Sequence, residues 1–310
     1  MRYRSWLQGL GATVLVVAAV AVAGCSADEP TRPSASSTGI TQLGTAPGSA
    51  SSSLDNQTNP GSSTSGSAAP APVRIMALGD SITAGGDPAQ PATSPQSYRG
   101  YLGTSLQAAG YQVDFVGSEK AVAIGGTDPD HEGHGGYTIG PDNSKLCPNC
   151  PPANIDASLQ GWLDAARPDV VVLLIGVNDL LPESNPNGVV RETVPTQAGA
   201  KLTALVRRIR SLRPQTTVVV ASYPPITFLV DPALTGRVAF GLLNDAAKAL
   251  GAGADDRIVY APLRETLDTG WTQEDVLSAS GDQLHPSAAG AKKMAAVFHE
   301  ALVPVLDALK

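Results

Sequence analysis

Five short runs of apolar, mostly β-branched residues recur along the chain: Val73–Leu78, Val113–Val116, Val170–Ile175, Thr217–Ser222 and Arg257–Tyr260. They show little apolar-polar alternation, so each suits a strand buried on both faces. Stretches with a helical pattern lie between them. Tyr98–Ala109 ends at Gly110, Ile155–Ala166 stops before Pro168, Thr196–Leu212 stops before Pro214, and Leu234–Leu250 ends at Gly251. A last helix is expected to open near Pro286, since proline is at home in a first turn. Strand-helix alternation of this kind predicts an α/β fold, a three-layer αβα sandwich around a five-stranded parallel sheet. In such sheets ligands bind beyond the carboxyl ends of the strands. Chemistry is therefore expected just after the apolar runs.

The strand pattern starts only at residue 73 of 310, and what precedes it has a different composition. Arg2 and Arg4 are followed by the apolar stretch Leu10 to Ala23 and then by "VAGC". The apolar segment is short for a membrane span, which needs about 20 residues. Residues 1–25 are read as an export signal. Val-Ala-Gly-Cys resembles the lipobox of bacterial lipoproteins, which implies lipidation at Cys25; an uncleaved anchor helix and ordinary secretion are the alternatives. Residues 26–72 are rich in Ser, Thr, Ala, Gly and Pro and hold few large apolar side chains. Such a stretch cannot bury enough surface to offset the entropy of ordering its backbone, and it is read as a flexible linker. Residues 73–310 then suit one α/β domain. This plan predicts an exported protein, either a lipoprotein held to the membrane or a secreted one. The net charge of −7 comes with no basic tract, which argues against a nucleic-acid partner.

Three cysteines are present. With Cys25 assigned to the lipid, Cys147 and Cys150 remain in "CPNC". Outside the membrane a disulfide between them is the expectation. A redox pair or half of a zinc site is the alternative, although no further Cys is available to complete zinc coordination.

Four stretches place polar, chemistry-bearing residues at or near the predicted strand ends. "GDSITAGG", residues 79–86, offers Ser81 after the first strand. "HEGHGGYT", residues 131–138, follows the second. "LLIGVNDL", residues 173–180, presents Asn178 beyond Gly176. "GDQLHPSAAG", residues 281–290, holds Asp282 three residues before His285 and opens the last helix. A serine hydroxyl needs a base within hydrogen-bond reach to become a nucleophile. His285 suits that task because an ordinary imidazole is mostly neutral at pH 7. Asp282 is placed to accept from its Nδ1–H and fix the tautomer. Each residue also has a plainer reading: Ser81 as a helix N-cap, Asn178 as a cap after the third strand, Gly136 as a turn glycine, Asp282 as a surface turn acid.

Together the four blocks resemble the GDSL/SGNH hydrolase superfamily, whose Ser, Gly, Asn and His occur in this order. The resemblance spans essentially all of 73–310 and implies the flavodoxin-like SGNH-hydrolase form of the α/β fold. It assigns the oxyanion donors to the Ser81 N–H, the Gly136 N–H and the Asn178 side-chain amide. "DPDHEGHGGYTI", with "GDSITAGG" and "SYRGYL", is similar to the acetylxylan esterases of the third carbohydrate esterase family. The resemblance implies a serine esterase that acts through an acyl-serine on an acylated carbohydrate or other small ester, with no metal and no organic cofactor. Longer-chain acyl esters, acyl transfer to another alcohol, and a non-catalytic carbohydrate-binding surface protein remain alternatives. The protein is expected to act as a monomer.

The remaining candidates read as structural. His131 and His134 are three apart among glycines, unlike the i, i+4 pair of a helical zinc motif. Loop structure or substrate contact is expected of them. Asp80 and Asp179 are expected to hold turns through nearby backbone. His299 and Trp162 are expected to pack within helices, and Trp271 lies in a less periodic segment.

Overall fold

The computed structural model describes residues 71–86, 96–141, 153–180, 193–225, 236–277 and 284–310. All fall within the unit Ala69–Lys310. The expected signal segment and Cys25, nearly all of the linker, the Cys147–Cys150 pair and Asp282 lie outside the described residues.

Five parallel strands form the centre: β1 (Val73–Gly79), β2 (Val113–Phe115), β5 (Val170–Leu174), β6 (Thr217–Ala221) and β7 (Ile258–Ala261). The expected parallel sheet is therefore present, with boundaries shifted by a residue or so. One edge of β1 pairs in register with β5, from Ile75 opposite Val170 to Gly79 opposite Leu174. β6 and β7 continue the sheet on that side. The other edge of β1 is shared. β2 runs along its first half, Val73 opposite Val113 to Ile75 opposite Phe115. A further strand, β4 (Asp130–Gly133), pairs parallel with its tip, Leu78 opposite Glu132 and Gly79 opposite Gly133. A two-residue strand, β3 (Glu119–Lys120), runs antiparallel to β4.

Every residue of β5 and β6 is buried, which requires cover on both faces of the sheet. Helices supply it in two groups. α2 (Tyr98–Ala108) packs on α8 (Ala288–Ala308), and α5 (Thr193–Leu212) packs on α3 (Ile155–Ala166) and α6 (Gly236–Gly251). α3 occupies the predicted range. Asn154 caps its start by accepting from Ala157 N–H at 2.9 Å, and Arg167 closes it in the left-handed region before Pro168. α8 differs slightly from expectation. Ser287 is its N-cap, and Pro286 precedes the helix, in a bridge to Val276. Among the described residues, no helix is long and apolar enough to cross a membrane.

Two one-turn helices both start where a central strand ends, at the places where the plainer readings of Ser81 and Asn178 put helix starts. α1 (Ser81–Ala84) follows β1, and α4 (Val177–Leu180) follows β5. A short helix α7 (Leu263–Leu267) follows β7. The parallel sheet thus delivers α1 and α4 to the same edge, side by side.

Candidate active site

The turn after β1 begins with Gly79. A Cβ there would lie 2.2 Å from the Leu174 carbonyl oxygen and 2.4 Å from Thr83 Oγ1, so only glycine fits. Asp80 follows, fully buried, and caps α1: its Oδ1 accepts from Ile82 N–H at 3.0 Å. The plain reading of Ser81 as the cap is therefore displaced by one residue. Ser81 is the first helical residue, with its backbone N–H among the donors that a helix start leaves unused. Among the described residues no hydrogen bond uses that N–H. Arg99 holds the other end of α1, donating from Nε to the Thr83 carbonyl at 2.8 Å and from Nη2 to that of Ala84 at 3.1 Å. Burial brings its guanidinium pKa down to about 10, which leaves it charged at neutral pH.

His285 meets Ser81 from the far end of the chain. Its Nε2 lies 2.8 Å from Ser81 Oγ, and both residues are buried. The imidazole is delivered by a backbone bridge. Leu277 N–H donates to the His285 carbonyl at 3.0 Å, and Ser287 N–H donates to that of Asp275 at 2.9 Å. Asp275 closes a capping box with Thr272 and accepts from Lys293 Nζ at 2.7 Å, which pins the bridge to α8. A carboxylate held by a lysine and two donors fits the lowered Asp275 pKa, despite the opposing effect of its burial.

Asn178 sits on α4. Its Nδ2 donates to the Tyr137 carbonyl at 2.8 Å, which uses one of the two amide hydrogens. Gly136, the residue before Tyr137, is exposed and has φ +77°, a conformation that suits glycine. Among the described residues no hydrogen bond uses its N–H. Asp179 makes a second tie between α4 and the same loop. Its Oδ2 accepts from Ile139 N–H at 2.9 Å, and its Oδ1 accepts from Lys201 Nζ at 3.2 Å. It was expected to hold a local turn; it instead joins segments 40 residues apart.

Tyr223, just after β6, drew no attention in the sequence. Its hydroxyl donates to Asp80 Oδ2 at 2.7 Å and accepts from Val177 N–H at 3.0 Å. Burial raises the Asp80 pKa to about 6, against the lowering effects of the bonds from Tyr223 and Ile82. A tyrosine at the end of a buried strand was legible as a site candidate by the strand-end rule alone; its partners were not.

The "HEGH" stretch is a strand rather than a loop over Asp130–Gly133, and His134 extends it by donating its N–H to the Gly79 carbonyl at 2.9 Å. His131 turns inward. Its Nδ1 accepts from Gly133 N–H at 3.1 Å, and burial lowers its pKa to about 3, so it is neutral. His134 Nε2 lies 2.7 Å from Glu132 Oε1, and its ring stacks on Trp162 at 4.3 Å and on Tyr137 at 4.8 Å. Trp162 is thus half-buried beside this loop rather than deep in the core. His299 Nδ1 bonds Ser105 Oγ at 2.9 Å, joining α8 to α2, as packing requires. Trp271 lies against Gly290 at the start of α8. Among the described residues no group of three His, Cys, Asp or Glu side chains is arranged to hold a metal ion.

Known proteins share the fold. The chain is similar in structure to a family 3 carbohydrate esterase of Clostridium thermocellum, with 28% identity and a TM-score of 0.57 over 77% of this chain and 99% of that one. A carbohydrate esterase family 3 structure from Talaromyces cellulolyticus shares the fold at 21% identity and a TM-score of 0.54, over 77% of this chain and all of that one. Among curated proteins, one of Acetivibrio thermocellus named "Putative endoglucanase X" is 28% identical over 160 residues. That match takes in 50% of this chain, and the chain spans only 59% of that protein's length. The model of the GDSL-like lipase/acylhydrolase family matches residues 77–293, from the middle of β1 into α8. The chain therefore belongs to the GDSL-like lipase/acylhydrolase family of ester-bond hydrolases.

Proposed function

We infer that this protein is a serine esterase that removes acyl groups, O-acetyl foremost, from a carbohydrate on the outer side of the cell membrane. The observation that carries the chemistry is the 2.8 Å contact between Ser81 Oγ and His285 Nε2. It joins a nucleophile to a base in one buried pair. Likeness to a family 3 carbohydrate esterase supports the carbohydrate substrate. The acetyl group rests on the sequence resemblance to acetylxylan esterases. Export rests on the composition of residues 1–72, with Cys25 as the lipidated residue.

The reaction runs as acyl transfer in two halves. Ser81 Oγ attacks the ester carbonyl carbon while its proton passes to His285 Nε2. The new C–O bond places negative charge on the carbonyl oxygen. That oxygen takes hydrogen bonds from the Ser81 N–H, the Gly136 N–H and the free hydrogen of Asn178 Nδ2. Collapse breaks the bond to the sugar oxygen, which leaves with the proton from Nε2. Water then attacks the acyl-serine, gives its proton to His285, and the acid departs as Ser81 regains the proton. Asp282 takes the role of orienting the imidazole through Nδ1.

The test is acetate release from a panel of acetylated polysaccharides by the full chain, beside Ser81→Ala. Acetate release that vanishes in Ser81→Ala is the expected result. Full turnover by Ser81→Ala overturns the mechanism, and a preference for octanoate over acetate esters overturns the acyl-group assignment. Radiolabelled palmitate incorporation that is lost in Cys25→Ala checks the lipid anchor.

A further inference from the structure

The three donors of the proposed oxyanion site come from three turns that are distant in sequence, and one hydrogen-bonded chain runs through all of them. Gly136 precedes Tyr137, whose carbonyl accepts from Asn178 Nδ2 at 2.8 Å. Asn178 follows Val177, whose N–H donates to the Tyr223 hydroxyl at 3.0 Å. That hydroxyl donates to Asp80 Oδ2 at 2.7 Å. Asp80 precedes Ser81 and, through its other oxygen, caps the helix that Ser81 opens. Tyr223 belongs to neither of the two turns by sequence, yet its hydroxyl bonds to both.

We propose that Tyr223 is a positioning residue of the oxyanion site, its hydroxyl setting the spacing between the Ser81 N–H and the Asn178 amide. The proposal rests on the ester-hydrolysis reading. Its force comes from what the position demands. The group must accept from a helix-start N–H and donate to a carboxylate at once, and a hydroxyl does both. It must hold its place without rotamer freedom. The Tyr223 ring is fully buried, meets Phe240 edge-on at 5.6 Å, and has its own N–H fixed to Asn244 Oδ1 at 2.9 Å. Burial and the adjacent Asp80 carboxylate keep the phenol pKa well above its ordinary value, so the proton stays on as a donor. Hydrogen bonds in such a dry setting are stiffer than the same bonds in water. The oxyanion donors are useful only when preorganised to a fraction of an ångström.

The test compares Tyr223→Phe with the parent full-length protein. Measured quantities are kcat and KM on p-nitrophenyl acetate, the inhibition constant of phenylboronic acid, and thermal unfolding. The boronate forms a tetrahedral anion on the serine and reads the oxyanion site directly. Loss of the hydroxyl is expected to lower kcat about 10- to 100-fold, below the ~10²–10³ typical of deleting a donor. KM should change less than about threefold, and boronate affinity should fall by about the same factor as kcat/KM. A merely stabilising tyrosine would lower the unfolding temperature and leave these ratios alone. A folded Tyr223→Phe with kcat within about twofold of the parent, or with unchanged boronate affinity, overturns the proposal. Should that variant not fold, Asp80→Asn leaves one acceptor oxygen for two donors, so the bond from Tyr223 or the cap of α1 is lost, and either loss breaks the path from Tyr223 to Ser81. The same kinetic pattern is expected, and full kcat overturns the proposal. Ser81→Ala run in parallel separates the two ideas. If it is dead while the Tyr223 variant is normal, only the positioning role falls; if it is active, both fall.

Discussion

Ser81 Oγ and His285 Nε2 stand 2.8 Å apart although 204 residues of chain separate them. Different devices bring each to the contact: a helix start capped by Asp80 for the serine, and a backbone bridge between residues 276 and 286 for the histidine. Neither group is of use alone, because the serine needs a proton acceptor and the imidazole needs something to activate. Their effects should therefore not add. Ser81→Ala and His285→Ala are each expected to lower kcat on the order of 10⁴-fold or more, and the double variant no further than the worse single one. A double-mutant cycle on p-nitrophenyl acetate checks this. Additive losses would mean that the two residues serve separate steps.

Asn178→Ala removes an amide that is already aimed by its bond to the Tyr137 carbonyl. A donor of this kind is worth about 10²–10³ in kcat. The loss should appear in kcat with little change in KM, because the bond strengthens only as charge develops on the substrate oxygen. Asn178→Asp keeps the size but offers no donor at neutral pH, and should be at least as impaired. Steady-state kinetics on one small ester decides it; a change confined to KM would place Asn178 in ground-state binding instead.

Much of this could be read in the chain, and the parts that could not share a cause. β5 and β6 were legible because burial on both faces leaves a continuous apolar run. α3 was legible because its end is marked by Pro168, which cannot continue a helix. The contact of Ser81 with His285 followed from chemistry that requires a base beside the alcohol. β4 was missed because its residues, Asp-His-Glu-Gly, carry no strand pattern. It is a strand because Gly133 lets α1 lie against it, where a Cβ would approach Ala84 N to 2.4 Å, and because the tip of β1 offers a free edge. Tyr223 was missed for a similar reason. Its role depends on Asp80 and Val177, 143 and 46 residues away. Local pattern shows what a segment is; only folding shows what it meets.

Asp80 is a carboxylate kept where water cannot reach it, and the cost should be measurable. Its folded pKa of about 6 lies above the ordinary 3.8, chiefly through burial. Below pH 3.8 both folded and unfolded chains hold the proton, and the group costs nothing. As pH rises from there to about 6 the unfolded chain ionises first, so stability falls. Above about 6 the full cost applies, on the order of 3 kcal/mol at ~1.36 kcal/mol per pH unit. Asp80→Asn carries no such charge. Its stability relative to the parent should rise by about 3 kcal/mol between about pH 4 and pH 6 and level off above, from a starting value lowered equally at every pH by the acceptor that the amide lacks. His131, with its pKa lowered to about 3, titrates in both proteins and cancels from the difference. Urea unfolding at several pH values checks it, and a pH-independent difference would sink the argument. The same variant should gain stability while losing kcat, since it disturbs the bridge to Tyr223.

Glu132 anchors the loop that carries Gly136, and it does so as a fully buried acceptor. Ser118 N–H and Oγ donate to it at 2.8 and 2.6 Å, and His134 Nε2 meets it at 2.7 Å. His134 in turn stacks against Trp162 and Tyr137, whose rings also meet each other at 6.4 Å. A carboxylate can accept all of these bonds at once, whereas an amide of the same shape must point a donor at one of them. Glu132→Gln keeps its oxygen for Ser118 N–H only by turning its NH2 to Ser118 Oγ and His134 Nε2, which must then accept instead of donate; with the charge-assisted bonds lost, the change should cost about 1–3 kcal/mol of stability. The disturbance should reach catalysis by way of His134, Tyr137 and the carbonyl that fixes Asn178. It should lower kcat more than it raises KM, and by less than Asn178→Ala does. Trp162→Ala, which removes the stacking partner but leaves Glu132 and His134 in place, should have a smaller effect in the same direction. Measuring kcat for all three variants orders the links. If Glu132→Gln loses stability but keeps full kcat, the loop is held for folding alone and Gly136 owes its position to the Asp179–Ile139 bond instead.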